Sequence, residues 1–225
     1  MVTLSKLSIT RRIRALGQAV ERCGCDAPKL VGTMLRLWCK NSFTALPKPF
    51  LPYSEVLAEV PQVADFVAML GELNFLEGTY WLSSSYAMLA DEGYRKKLAM
   101  FFTPASLTEG LLNDLAGQGV DFGSQSFMDP ACGGAAFLAP IALRMRTALT
   151  ARGFSALKVL EHIEKHLYGC DLDKTLCELS KHFLWMALHA EIEKTGYVPT
   201  FNVHTANSLR DLAACLGTVD VVVCN

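Results

Sequence analysis

The second half of the chain alternates between short apolar stretches and longer helical patterns, and this alternation restricts the fold more than any other feature. Apolar stretches at 127–128, 167–170, 201–204 and 219–224 predict strands, and helix-length patterns separate them. Strand–helix–strand repetition with apolar strands is typical of a parallel sheet covered by helices. From about residue 101 onward, the sequence therefore predicts an α/β fold with a doubly wound, mostly parallel sheet.

The first hundred residues have a different pattern, in which apolar side chains recur at helical spacing. Thr10 is predicted to cap the first helix, and the three serines at 83–85 are predicted to form a loop. A continuous helix is expected over 174–194 in the second half. We therefore expect an all-helical N-terminal domain at 1–100, followed by a partial ligand-binding domain at 101–225.

The most informative local feature is the segment Asp129-Pro130-Ala131-Cys132-Gly133-Gly134, which follows the first predicted strand and precedes a helix expected from about Ala135. Small residues let the backbone approach a ligand closely, and a helix N-terminus offers free N–H groups. Taken alone, a glycine pair after a strand is a weak signal. It does not have the glycine spacing of the dinucleotide fingerprint, and the sequence has no Gly-Lys-Ser/Thr phosphate loop.

Polar residues also follow the second and third predicted strands. Asp171 ends the second strand, where a carboxylate can accept hydrogen bonds from both hydroxyls of a ribose, and Leu172 would lie against a base. Asn207 follows the third strand, and its amide can bind an adenine edge. The ordinary alternatives are that the acids at this strand end cap the next helix and that Asn207 is a turn residue.

Charge and cysteine content limit the class of protein. Residues 1–50 contain nine Lys or Arg and two acidic residues, whereas the remaining 175 contain twelve basic and twenty acidic residues. A basic segment on an acidic body favours contact with nucleic acid or with a partner, although solvated helix faces explain the same charges. The eight cysteines form no Cys-x-x-Cys pair, which predicts reduced, buried thiols in a cytoplasmic protein. No signal peptide or membrane-spanning stretch is recognised.

The histidines are predicted to have no metal role. His162 and His166 have the spacing of two ligands on one helix, but Glu164 does not stand where a zinc peptidase needs its glutamate. His182 and His189 are expected to be partly exposed on the long helix.

In this order, these elements resemble the N6-adenine DNA methyltransferases, most closely the modification subunits of type I restriction–modification systems. The family's Phe/Tyr-Thr-Pro element corresponds to 101–104, and its Asp-Pro-Ala-Cys-Gly turn to 129–133. Its acid after strand two corresponds to Asp171, and its Asp or Asn after strand three to Asn207. Its catalytic Asn-Pro-Pro-Tyr/Phe motif begins at Asn225, after which the sequence stops.

The resemblance implies a class I S-adenosylmethionine-dependent methyltransferase fold, with S-adenosylmethionine as cofactor and Asn225 as the catalytic residue. The implied cofactor-binding residues are Phe102, Thr103, Asp129, Ala131, Cys132, Gly133, Gly134, Phe137, Asp171, Leu172 and Asn207. In this scheme Phe102 and Thr103 close over the methionine part, and Asp129 holds its amino group. Asp171 takes the ribose, Leu172 and Phe137 form apolar walls, and Asn207 faces the adenine.

The implied activity is methyl transfer to N6 of adenine in DNA within a restriction–modification system. The implied partners are DNA, contacted through the complete protein or a specificity subunit, and other restriction–modification subunits. Because the chain stops at Asn225, we expect an incomplete protein that binds the cofactor and is inactive alone. We also expect copies to pair through the unprotected edge of the sheet at the last strand.

Three other readings stay open from the sequence. One is a non-catalytic assembly module that docks a partner subunit. Another is a methyltransferase for an RNA base or a protein glutamine, because Asn-Pro-Pro motifs also occur there. A nicotinamide oxidoreductase is the least favoured, because the glycine spacing is wrong.

Overall fold

The computed structural model describes residues 6–43, 46–211 and 217–225. The first part consists of helices α1 (Lys6–Arg22), α2 (Ala27–Ser42), α3 (Glu55–Ala58), α4 (Pro61–Glu72), α5 (Phe75–Leu89) and α6 (Glu92–Lys97). Helix α2 lies against α4 and α5, and α1 packs on both of these helices. Side-chain caps begin α2, α3, α5 and α6, from Asp26, Ser54, Asn74 and Asp91.

Two details of this helical part differ from the predictions. The serines at 83–85 are buried inside α5 rather than in a loop. Ser83 and Ser85 donate their hydroxyls to the carbonyls of Thr79 and Leu82, which satisfies them within the helix. Thr10 lies inside α1, where its hydroxyl bonds to the carbonyl of Lys6, so it is not a cap.

The second part begins with α7 (Ala105–Gly117) and continues as an α/β unit. Its elements are β1 (Phe127–Asp129), α8 (Leu138–Ala151), α9 (Ala156–His166), β2 (Leu167–Asp171), α10 (Lys174–Ala187), α11 (His189–Thr195), β3 (Asn202–Thr205), α12 (Ser208–Asp211) and β4 (Val221–Val222). The strands lie in the order β3-β2-β1-β4, and all of them are parallel. The chain moves outward from β1 to β3 and then returns to the other side of β1. This reversal is the switch point of a doubly wound sheet, which confirms the predicted fold class.

The structure also corrects several boundaries in this part. The expected long helix over 174–194 breaks at Leu188, a fully buried residue whose backbone leaves the helical conformation. Helix α7 begins after Pro104 and has no side-chain cap, although Thr103-Pro104 in the sequence resembles a cap followed by a proline at the first helical position. Helix α8 begins at Leu138 rather than near Ala135, because the turn before it contains left-handed residues.

The helical part and the sheet part pack directly against each other. Helix α5 contacts α10. The ring of Trp38 meets that of Phe183 at 6.5 Å between centroids. His182 is buried, contrary to the expected partial exposure, because its Nε2 lies 3.0 Å from the Sγ of Cys39 in this contact. One hydrophobic core therefore runs through both parts of the described chain.

The described cysteines are all free thiols, but their exposure varies. Cys39, Cys132, Cys170 and Cys177 are buried, whereas Cys224 is exposed and the two near the end of α1 are half-buried. The described residues include no group of three or more His, Cys, Asp or Glu side chains that could hold a metal ion. Within the same ranges, every helix is too short or too polar to traverse a bilayer.

Candidate functional site

The turn after β1 lies at the carboxyl edge of the sheet, where hydrogen bonds from its own N–H groups hold it in place. Asp129 ends β1 in a nearly fully buried position, and its Oδ1 accepts a 3.0 Å hydrogen bond from the N–H of Ala131. Gly133 and Ala135 have φ of +49° and +60°, which is the left-handed region. Two left-handed residues this close together coil the chain tightly before α8 begins.

Asp171 at the end of β2 is joined to this turn. Its Oδ2 accepts a hydrogen bond from the N–H of Gly133 at 2.9 Å, and its Oδ1 accepts one from the N–H of Asp173 at 2.8 Å. The N–H of Cys132 also donates to the carbonyl of Cys170 at 2.8 Å. The turn after β1 and the end of β2 therefore lie in direct contact and form one cradle. Each carboxylate oxygen retains a further lone pair for a ligand.

Burial raises the pKa of both carboxylates at this edge. It raises the pKa of Asp129 to about 7, and the nearby charge of Asp171 adds to the effect. Burial also raises the pKa of Asp171, while its backbone hydrogen bonds act in the opposite direction. Perturbed acids that share a strand edge are typical of functional sites, although structural networks produce them too.

The glycines of the turn are required by close neighbours. A Cβ at Gly134 would lie 1.9 Å from the Oγ of Ser83 on α5, and one at Gly133 would lie 3.2 Å from the ring of Phe102. The Gly133 carbonyl also accepts a 2.7 Å hydrogen bond from the hydroxyl of Ser180 on α10. The turn is thus held between the segment before α7, the helical part and α10.

Asn225 reaches the same edge from β4. The N–H of Val223 donates to the carbonyl of Met128, which places the end of β4 beside β1. The Asn225 amide then donates from Nδ2 to the hydroxyl of Thr103 at 2.9 Å, which leaves its Oδ1 available as an acceptor. The expected catalytic residue and the Phe-Thr-Pro element are therefore neighbours.

Asn207 lies beside Asp171, but part of its side chain is already engaged. The N–H of Ala206 donates to the carbonyl of Asp171 at 3.0 Å, which ties the two strand ends together. The Oδ1 of Asn207 accepts the N–H of Leu209, and the Asn207 N–H donates to Asp211. The side-chain oxygen thus supports α12, and the Nδ2 group is the part of the amide that can serve a ligand.

The remaining expected residues fall into two groups. Leu172 has an exposed side chain, with 53% of its surface accessible, and Ala131 is exposed as well. The side chains of Cys132 and Phe137 are buried in the hydrophobic core, so they stabilise the turn by packing there.

Sequence reasoning missed the contacts around Asp173. This buried acid caps α10 by accepting the N–H of Leu176, and its Oδ2 also accepts the hydroxyls of Tyr86 at 2.8 Å and Tyr94 at 2.9 Å. Burial raises the pKa of Tyr86, and burial together with the bond to Asp173 raises that of Tyr94 to about 12, so both hydroxyls stay protonated donors. The capping role was visible in the sequence, but nothing in it identified tyrosines about 80 to 90 residues upstream.

Comparison with known proteins supports the family-level reading. A family model described as N-6 DNA Methylase matches residues 84–225, which is well over half of the chain. No curated protein matches the chain.

Three solved structures are similar to the chain. The cryo-EM structure of a DrdV–DNA complex has 13% identity and a TM-score of 0.46, over 74% of this chain and 18% of that one. A crystal structure of a modification subunit ascribed to a type I restriction enzyme from Vibrio vulnificus YJ016 has 21% identity and a TM-score of 0.39, over 73% and 32%. The Type IIL restriction-modification enzyme MmeI in complex with DNA has 15% identity and a TM-score of 0.44, over 89% and 35%.

The chain spans about a third or less of the length of these three proteins. The matched segment of the family model contains the turn after β1, the acid after β2 and Asn225, and it begins just before Tyr86. The resemblance predicted from the sequence is thereby confirmed: the chain belongs to the N-6 DNA methylase family, the N6-adenine-specific DNA methyltransferases.

Proposed function

We propose that this chain is part of an enzyme that transfers a methyl group from S-adenosylmethionine to N6 of adenine in DNA, within a restriction–modification system. The observation that carries the proposal is the hydrogen bond between the N–H of Gly133 and the carboxylate of Asp171. It makes one cradle from the turn after β1 and the end of β2. Asn225 lies at the same edge through its contact with Thr103.

The residues present fit the proposed cofactor. A Cβ at Gly133 would crowd the ring of Phe102, so the glycine allows this ring to lie close to the turn. Asp129 would accept from the amino group of the methionine part, Asp171 from the ribose hydroxyls, and Leu172 would cover the adenine. Phe102 and Thr103 would close over the methionine part, and Asn207 would offer its Nδ2 group to the adenine edge.

The cofactor supplies a methyl group made electrophilic by its bond to a positively charged sulfur. The N6 lone pair of adenine is delocalised into the ring and is therefore a poor nucleophile. The Oδ1 of Asn225 would accept a hydrogen bond from the N6 amino group, which localises the lone pair and directs it toward the methyl carbon. Orientation of this kind contributes much of the rate enhancement, and the scheme requires no side-chain base and no metal ion.

The proposal includes a limit on what this chain does by itself. The target adenine has to leave the duplex and stack on an aromatic side chain, which the family motif supplies after two prolines that would follow Asn225. We expect the 225-residue chain to bind the cofactor but to transfer no methyl group. Incorporation of radiolabelled methyl into DNA by the purified chain would contradict this expectation. In its complete form, the enzyme would act in the cytoplasm with the other restriction–modification subunits.

The proposal is tested first by ligand choice. S-adenosylhomocysteine, the demethylated product, should raise the melting temperature of the chain, whereas NAD should leave it unchanged. A shift with NAD alone would favour an oxidoreductase and would refute the proposal.

Replacement of the proposed ribose acceptor gives a sharper test. Asp171→Ala should weaken S-adenosylhomocysteine binding by about 1–3 kcal/mol in calorimetry, because it removes the acceptor of hydrogen bonds from the ribose. Asp114→Ala, an exposed acid on α7, is the matched control and should bind normally. Unchanged affinity of the Asp171 variant would assign the ribose to another residue.

Pairing between copies remains part of the proposal. Strand β4 lies at the edge of the described sheet, and the side chain of Val222 is 59% exposed. An exposed apolar edge strand favours pairing with another chain. A monomer at high concentration in light scattering would contradict this prediction.

A further inference from the structure

A groove beside the candidate site combines basic and aromatic side chains. It has a volume of about 530 Å³ and lies between α1, α5 and the segment that follows α5. Its lining includes the cations Lys6, Arg95 and Lys96 and the rings of Tyr80, Trp81, Phe101 and Phe102. We call it the α1–α5 groove.

The α1–α5 groove ends at the residues of the candidate site. Phe102 and Tyr80 line the groove and also line a much smaller cavity that reaches Thr103 and Gly134. Thr103 in turn holds the amide of Asn225. A polymer that places one unit at Asn225 would therefore have its neighbouring units over this groove.

The charge of the groove is positive. Lys6, Arg95 and Lys96 contribute cations, and the lining contains no Asp or Glu in the described part of the chain. Lys96 is paired with Glu92, but neither Lys6 nor Arg95 forms an ion pair with another residue that the structure describes. Two cations are thus left for an anionic ligand, and one of them, Lys6, belongs to the basic segment noted in the first fifty residues.

The aromatic side chains are accessible. Phe101 is 83% exposed, which is unusual for a large apolar side chain beside a cavity. Tyr80 and Trp81 stand edge to face with 5.0 Å between their ring centroids, and both are half-buried in the groove wall. Cations interleaved with accessible rings are the recognition chemistry of unstacked nucleic acid strands.

We propose that the α1–α5 groove binds the DNA strand next to the target adenine, with Lys6 and Arg95 contacting phosphates and Phe101 stacking on a neighbouring base. This rests on the proposed function, because the choice of DNA over other polyanions comes from the methyltransferase site. It assigns to the helical part a substrate-binding role besides its packing role. An acidic protein surface could pair with the two cations, but the accessible ring of Phe101 beside them suits an unstacked base, so a nucleic acid fits the groove better.

The charge contribution is tested by removing the two unpaired cations together. The variant Lys6→Gln/Arg95→Gln is compared with Lys158→Gln/Lys194→Gln, which removes the same charge from exposed positions on α9 and α11, outside the groove lining. Binding of a short fluorescein-labelled duplex with one unpaired adenine is followed by anisotropy at several salt concentrations. The groove variant should bind more weakly, and its negative slope of log affinity against log salt should become shallower by about 2. Each lost phosphate contact reduces the size of this slope by roughly 0.9.

The control variant should retain the slope of the unmodified chain. A slope change is informative because a general loss of folded protein lowers the signal without changing the number of ions released on binding. Equal slopes in the groove variant, the control and the unmodified chain would overturn the proposal.

The stacking contribution is tested separately with Phe101→Ala. Because the side chain is exposed, its removal should leave folding intact, and binding of the same duplex should weaken roughly tenfold without a change in salt slope. Full affinity in this variant would remove Phe101 from the proposal. An equal or stronger dependence on the groove for a hairpin RNA than for the DNA would contradict the assignment to DNA.

Calorimetry with S-adenosylhomocysteine separates this proposal from the proposed function. All of the groove variants should bind the compound as the unmodified chain does. If the unmodified chain does not bind it, the methyltransferase proposal fails. If binding is normal but the groove substitutions leave DNA affinity and salt slope unchanged, the groove proposal alone fails.

Discussion

At the scale of residues, Asp129 and Asp171 show how two aspartates at one strand edge differ in burial and in hydrogen bonding. Asp129 is almost inaccessible, and its side chain receives a hydrogen bond from the N–H of Ala131. Asp171 is less buried and receives two hydrogen bonds from backbone N–H groups, which fix its orientation. Burial raises the pKa of Asp129 to about 7, so its charge changes near neutral pH.

The first prediction concerns this titration. The ammonium of S-adenosylhomocysteine should bind the ionised form of Asp129, so affinity should rise with pH, by up to roughly tenfold per unit below pH 7, and level off above it. Calorimetry between pH 5.5 and 8.5 measures the profile. Asp129→Asn should bind weakly and with a flat profile, whereas the surface variant Asp114→Asn should follow the unmodified chain. A flat profile in the unmodified chain would exclude Asp129 as the acceptor.

At the scale of elements, the N-terminus of α10 is where the helical part, the turn and the sheet meet. Asp173 caps this helix and binds the tyrosines of α5 and α6, while its N–H orients Asp171. The carboxylate thus has more partners than an ordinary cap. Helix α10 carries Ser180 as well, whose hydroxyl supports the turn at Gly133.

Substitution of two capping residues tests whether the tyrosine contacts of Asp173 add stability beyond that of an ordinary cap. Asp173→Ala should lower the free energy of unfolding by roughly 3 kcal/mol or more, because it removes a cap and leaves two tyrosine hydroxyls without their acceptor. Asp26→Ala removes only the cap of α2, an exposed bond to the N–H of Lys29, and should cost about 1 kcal/mol. Urea denaturation checks both values. Equal losses would mean that the tyrosine contacts contribute nothing.

The elements also show what the sequence could and could not predict. The strand before Asp129 and the acid ending β2 were predictable, because short apolar runs followed by turn residues have a local signature. The placement of the serines at 83–85 was not predictable, because the residue type alone suggests a loop. In the helix, the hydroxyls of Ser83 and Ser85 are satisfied by carbonyls of α5 itself. The break at Leu188 and the contact between Tyr94 and Asp173 depend on tertiary packing, which no local pattern encodes.

At the scale of the whole molecule, the helical part and the sheet share an interior. Cys39 and His182 lie in this shared region, 3.0 Å apart. Burial raises the pKa of Cys39 to about 12 and lowers that of His182 to about 4, so the thiol stays protonated and can donate to a neutral imidazole. The boundary at residue 100 therefore remains a prediction about domains, because packing continues across it.

The buried imidazole predicts how stability depends on acid. The pKa of His182 is depressed in the folded state, so the unfolded chain binds the proton more readily. Its contribution to stability is full above about pH 6.5 and is lost as pH falls toward 4. Over this range the unmodified chain should lose about 1.4 kcal/mol per pH unit relative to His182→Leu. Urea denaturation of both proteins at several pH values measures the difference, and parallel profiles would contradict the assignment.

The bond between Asn225 and Thr103 has a consequence for the order in which the protein is made. Its two residues are separated by most of the matched segment, so the ribosome must synthesise residues 103–225 before they can meet. The turn after β1 and the end of β2 are complete earlier, because their joining bond spans only 38 residues. A nascent chain can thus join the turn after β1 to Asp171 well before Asn225 is available to reach Thr103.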